Sequence, residues 1–145
     1  MVNTKVTKSV PVKVGSGEGL PSVNVDSPRV QEALVMMVAG RVSLAYGVMP
    51  TTLFAPNRCA ANVARARQAT MYLLNVAAGF SQNSAASSVK RERTTARHAL
   101  RVIEELRDDP AFDGALTTIE EEIKCAIEMA GVLALPLLKG GKHGR

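Results

Sequence analysis

Apolar residues recur at helical spacing along most of this chain, and polar residues fill the positions between them. The clearest case runs from Lys90 to Leu106. Ala96, Ala99, Leu100, Ile103 and Leu106 fall on one face. Arg93, Arg97 and Arg101 sit four apart beside that face and make a cationic stripe, with Thr94, Thr95 and His98 on the flank between. A helix that packs on one side and presents arginines and threonines on the other fits a DNA major groove. The competing reading is a solvated surface helix with a chance charge stripe.

The same periodicity places the other elements. A first helix is expected from Ser27-Pro28, with serine as N-cap and proline at the first helical position, and Gly47 as its stop. Its stripe is Val30, Leu34, Met37, Val38, Val42 and Ala45. Val48 to Asn57 holds Pro50 and Pro56 and reads as a loop or a short helical turn, with Leu53 and Phe54 plugging the core edge. A second helix is expected from Ala61 or Ala64 to Ala78, facing Val63, Ala66, Ala69, Thr70, Leu73 and Val76 or Ala77 inward, with Met71 and Leu74 close by. Gly79 ends it, and Ser81 or Asn83 caps a short helix of small residues over Ser84 to Val89. Lys90-Arg91 then turns into the basic helix. Short helix, turn and basic helix form helix-turn-helix order without the usual turn glycine.

Asp108, Asp109 and Pro110 close the basic helix. A last helix is expected near Asp113, with Leu116, Ile119, Ile123, Ile127 and Ala130 inward and Glu120, Glu121, Glu122 and Glu128 on its outer face. Val132 to Leu138 extends the apolar pattern, and Gly140 to Arg145 reads as a flexible basic end. Met1 to Ser27 holds Pro11, Pro21 and the glycine-rich run from Gly15 to Gly19, too little apolar surface to offset its ordering entropy. A short strand over Val10 to Val14 has no evident partner.

Composition narrows the class. The chain has 145 residues, 46% of them apolar, with no tryptophan, two tyrosines and three phenylalanines. Small aliphatic side chains without β-branched alternation favour packed helices. Cys59 and Cys125 lack metal-ligand spacing and read as reduced thiols of a cytosolic protein. No signal-peptide core and no membrane-length apolar run is evident, so a soluble cytoplasmic location is expected. The net charge of +5 is unevenly spread. Local balances are +2 from Met1 to Asn57, +7 from Arg58 to Ile103 and −4 from Glu104 onward. A basic middle third is the footprint of phosphate binding. Arg65 and Arg67 add to it, because cations in the first turns of a helix oppose its dipole and call for an anion nearby.

Two motifs resemble the C-terminal DNA-binding domain of the bacterial replication initiator DnaA. Ala64-Arg65-Ala66-Arg67-Gln68-Ala69 resembles the family's A-R-x-R-Q-x segment behind a basic loop. Arg91-Glu92-Arg93-Thr94-Thr95 and the following Ala96 to Glu104 resemble its R-D-H-T-T-V-x-H-A-x-R-x-I-E signature, with His98, Ala99, Arg101, Ile103 and Glu104 at matching places. The resemblance covers roughly Pro28 to Ile123. It implies base readout by Glu92, Arg93, Thr94, Thr95 and Arg97. It implies phosphate or minor-groove contacts by Arg58, Arg65, Arg67, Lys90, Arg91 and Arg101. His98 is expected to pack or to bond backbone rather than read a base. Four departures stand out. Val89-Lys90 replaces the family's G-G turn, the basic loop around Arg58 is thin, Glu92 replaces aspartate and Arg93 replaces histidine. Arginine there would favour guanine.

The expected architecture is therefore an all-α bundle containing a helix-turn-helix. Residues 1–27 form a flexible segment, 28–123 the DNA-binding domain, and 124–145 a helical extension with a basic tail. The expected partner is double-stranded DNA, in a nucleoid-associated role as a transcriptional regulator or a modulator of chromosomal replication initiation. A full-length initiator or a second copy, met through the C-terminal helix, are further expected partners. No phosphate-loop motif, nucleophile–base pair, metal set or cofactor motif is found, so no nucleotide, cofactor, membrane or catalytic role is expected. The alternative function is a protein–protein adaptor using the acidic and apolar last helix.

Overall fold

Six helices follow one another in the computed structural model, which describes residues 26–56 and 60–140, with side chains as far as Ala130. They are α1 (Pro28–Tyr46), α2 (Pro50–Leu53), α3 (Ala61–Val76), α4 (Gln82–Ser88), α5 (Arg93–Leu106) and α6 (Pro110–Gly140). No strand occurs among the described residues. The loose segment and the short strand read at the N-terminus lie outside them up to residue 25, as do residues 141–145 of the basic tail.

Local chemistry sets the helix ends. Pro28 occupies the first position of α1, and the Ser27 carbonyl accepts from Gln31 N–H at 2.9 Å, although the Ser27 hydroxyl caps nothing. Gly47 stops α1 in the left-handed region at φ 66°, where a side chain would add strain. Gly79, at φ 81°, makes the same kind of exit from α3, and Phe80 N–H returns to the Leu74 carbonyl at 2.9 Å. The last helix starts three residues before the expected Asp113. Pro110 opens it rather than blocking it, because the Asp109 carboxylate accepts from Ala111 N–H at 3.0 Å. The short helix likewise begins early, at Gln82, because Ser81 is the cap. The basic helix begins at Arg93, after the turn expected at Lys90-Arg91.

Helix α3 is the axis of the bundle. It packs against α1, α2, α4 and α5, and buries Ala66, Arg67, Ala69, Thr70, Met71, Tyr72, Leu73 and Leu74. The main core joins Val38 and Val42 of α1, Leu53 of α2, Leu73 of α3, Ile103 of α5 and Ile123 of α6. A smaller cluster of Met71, Ala86, Val89, Ala96 and Ala99 seats the first half of α5 on α3 and α4. Alanine on both sides lets α4 and α5 approach closely. Along α6, Leu116, Ile119 and Ile123 are buried, but Ala130, expected inward, is exposed. No helix among the described residues is long and apolar enough to cross a membrane.

Candidate nucleic-acid interface

The segment from Ser81 to Leu106 begins with an ordinary serine cap. Ser81 Oγ accepts from Ser84 N–H at 3.0 Å, and Ser88 Oγ closes the helix by donating to the Ser84 carbonyl at 2.8 Å. The turn that follows is less ordinary. Lys90 sits at φ 60°, and no other described residue but glycine has positive φ. An L-residue in that region costs about 1 kcal/mol or more. Backbone bonds hold it there, with Lys90 N–H on the Ser87 carbonyl at 3.0 Å and Arg91 N–H on the Ala86 carbonyl at 2.8 Å.

Glu92 is the cap residue of α5, and its carbonyl accepts from Thr95 N–H at 2.9 Å while its carboxylate caps nothing. From that start, Ala96, Ala99 and Ile103 turn inward. Glu92, Arg93, Thr94, Arg97, His98 and Arg101 are exposed, and Thr95 is half-buried at the edge. Thr94, Arg97, His98 and Arg101 line a shallow depression of about 310 Å³. His98 therefore belongs to the cationic face. The expectation that it packs or bonds backbone does not hold, because position 98 points away from the alanine seat.

The charges of α5 run against its dipole. Its first turn carries no acid and its last turn no base, while Glu104 and Glu105 stand exposed near its C-terminal end. Both arrangements are unfavourable for the isolated helix. Arg93–Arg97 and Arg97–Arg101 are also like-charge neighbours one turn apart, which adds repulsion.

The remaining expected cations divide. Lys90 is exposed at the turn. Arg58 lies outside the described residues, at 57–59. Arg65 is half-buried on the α1 side of α3, close enough to Tyr46 that its charge partly counters the burial raising that hydroxyl's pKa. Arg65 Nη1 is buried without a hydrogen bond. Arg67 is only 7% exposed, and the phosphate contact expected of it is not what its geometry serves. Its Nε donates to the Leu53 carbonyl at 2.8 Å, and its Nη2 to Thr52 at 2.8 Å and Ala55 at 3.3 Å. The Thr52 and Leu53 carbonyls end α2 and that of Ala55 lies just beyond it, so the guanidinium supplies donors to the backbone acceptors gathered at this helix end. Arg91 behaves similarly. Its Nη1 donates to the Lys90 carbonyl at 3.0 Å and its Nη2 to Ala55 at 2.9 Å.

A second polar centre was invisible to pattern reading. Arg107, just past α5, pairs with Asp113 and Glu120 of α6, and donates to Thr117 Oγ1 at 2.7 Å and to the Tyr72 hydroxyl at 2.8 Å. Burial opposes its charge, but the bonds to Glu120, Asp113 and Tyr72 outweigh it and raise its pKa. Glu120, expected on the outer face, is 8% exposed because it meets this guanidinium. Cys125 is free and exposed. Among the described residues, no group of histidine, cysteine, aspartate and glutamate side chains is placed to hold a metal.

No known protein family matches the sequence, and no curated protein does. A solved crystal structure of a DNA replication initiation factor is similar in fold, with a TM-score of 0.61 and 25% identity over 68% of this chain. The chain spans 30% of the length of that protein.

Proposed function

We propose that this chain binds double-stranded DNA, with α4 and α5 acting as a helix-turn-helix and α5 entering the major groove. The observation that carries the reading is the exposed face of α5. Arg93, Arg97 and Arg101 stand there against the helix dipole and against one another, beside Thr94 and His98. Their arrangement costs the free protein stability that an external polyanion would return. The folding likeness to a DNA replication initiation factor supports the same reading.

In this reading Glu92, Arg93, Thr94, Thr95 and Arg97 meet base edges. The Glu92 carboxylate would accept from cytosine N4, Arg93 would donate to guanine, and the threonine methyls would meet thymine. Lys90 and Arg101 would contact phosphates and fix register. Arg58 and Arg65 are candidates for the flanking backbone or minor groove. The chain would act as a regulator of transcription or of replication initiation, competing with a full-length initiator or assisting it, without catalysis of its own.

Fluorescence anisotropy with an initiator-type duplex and a scrambled duplex, each at two salt concentrations, tests this. Tight binding to the first duplex that Thr94→Ala/Thr95→Ala abolishes is the expected result. Equal, salt-sensitive binding to both would reduce the reading to general DNA affinity, and no binding at low salt would refute it. Met129, 45% exposed on α6 beyond Ile127, keeps a protein–protein adaptor as the second reading. Unchanged solution mass and DNA affinity after removal of residues 132–145 would count against that role.

A further inference from the structure

We infer that Arg91 is a positioning residue that stands in for the missing turn glycine and sets how α5 leaves the turn. This rests on the DNA-binding reading for its consequence, but not for its geometry. Lys90 takes a left-handed conformation that its side chain disfavours. Arg91 folds back over that residue, with Nη1 3.0 Å from the Lys90 carbonyl and 3.4 Å from the Val89 carbonyl. Its Nη2 reaches across to the Ala55 carbonyl at 2.9 Å. The same carbonyl accepts from Arg67 at 3.3 Å, and Arg67 is itself anchored on Thr52 and Leu53. One guanidinium thus fastens the strained turn, and through Ala55 docks it to α2 and α3.

The planar fork of arginine is what makes this possible. It aims two donors in fixed directions from one head group, whereas a lysine ammonium offers a point charge. A phosphate contact at position 91 would tolerate lysine, because charge alone serves it. A clamp on carbonyls of two different segments would not. Glu92 follows directly, so a shift at Arg91 carries into every proposed base reader on α5.

The experiment has two arms on the full chain. In the first, amide hydrogen exchange of Lys90 and Arg91 is measured without DNA for the parent, for Arg91→Lys, and for Lys90→Gly/Arg91→Lys. Exchange at these amides should rise at least tenfold in Arg91→Lys while amides of the α3 core keep their protection. The added glycine, which accepts the left-handed turn, should restore most of the protection. Unchanged exchange in Arg91→Lys would overturn the clamp. In the second arm, anisotropy compares the initiator-type and scrambled duplexes across a salt series. Arg91→Lys should lower the ratio of the two affinities at least tenfold, and Arg91→Met should leave the salt slope as in the parent. A retained ratio in Arg91→Lys, or a slope reduced by about one phosphate contact in Arg91→Met, would make Arg91 a phosphate ligand and overturn the positioning role. If the parent binds neither duplex, the proposed function fails and the positioning of base readers fails with it, while the exchange arm still decides the clamp.

Discussion

At the scale of single residues, arginines do two opposite jobs in this chain. Arg93, Arg97 and Arg101 remain in solvent, while Arg67 is drawn inward to carbonyls at the end of α2 and Arg107 to carboxylates of α6. Arg107 is the stronger test, because its loss would strand Glu120, whose side chain is 11% exposed. Lys124 Nζ lies 3.5 Å from Glu120 and would compensate only in part. Arg107→Met should therefore lower stability, but by less than the roughly 3–5 kcal/mol that breaking a fully buried ion pair costs, because Lys124 still answers part of the Glu120 charge. Glu120→Gln should cost less, as Arg107 keeps Asp113, Thr117 and Tyr72. Urea titrations of both variants read this, and an equal, small effect would show that the network is solvent-screened. None of it was legible in the sequence. An arginine in a helical pattern reads as exposed, and only the tertiary placement of α2 and α6 shows which carbonyls or carboxylates receive it.

At the scale of elements, the seat of α5 is built from small residues. Ala86 of α4 and Ala96 and Ala99 of α5 are all essentially buried, with Met71 and Val89 completing the cluster. Ala99→Leu would force the two helices apart and should cost about 1–3 kcal/mol. DNA discrimination should fall with it, as the exposed face tilts; unchanged discrimination would mean that the face does not depend on this seat. The outer side of the same helix predicts the reverse trade. Arg97 has an arginine one turn before and one turn after it. Arg97→Gln removes both repulsions, each worth roughly 0.2–0.5 kcal/mol, and should raise the midpoint of thermal unfolding while weakening DNA binding. A variant less stable than the parent would contradict this account of α5. The all-helical bundle, the Pro28 start, the Gly47 stop and the apolar side of α5 were legible because helical periodicity and end signals are local. The starts of α4 and α6 were missed by two or three residues. There, Ser81 competed with Asn83 as the cap, and Asp109 and Pro110 read as the close of α5.

At the scale of the whole molecule, the fastening of α6 to the bundle makes a pH prediction. Besides the Arg107 network, Arg41 of α1 grips Glu122 of α6 through two bonds, from Nε to one carboxylate oxygen and from Nη2 to the other at 3.3 Å. Hydrogen bonding from Arg41 holds the Glu122 carboxyl below its ordinary pKa, against the opposing effect of desolvation and with the help of the Arg41 charge. The folded protein therefore refuses protons that the unfolded chain accepts once pH falls toward about 4.3. The pair's contribution is fully present above that value and is lost as pH drops through the lower folded-state pKa. Glu122→Gln should be less stable than the parent at neutral pH, and the gap should narrow on acidification. Arg41→Met should follow the same curve, and the double variant should add little beyond either single change, because both remove one interaction. Denaturant unfolding from pH 7 down to about 3 measures all three. A gap independent of pH would assign the loss to packing of the arginine stem instead. The charge would then play no part in holding α6, and the fixed end of that helix would rest on Leu116, Ile119 and Ile123 with the Arg107 network alone.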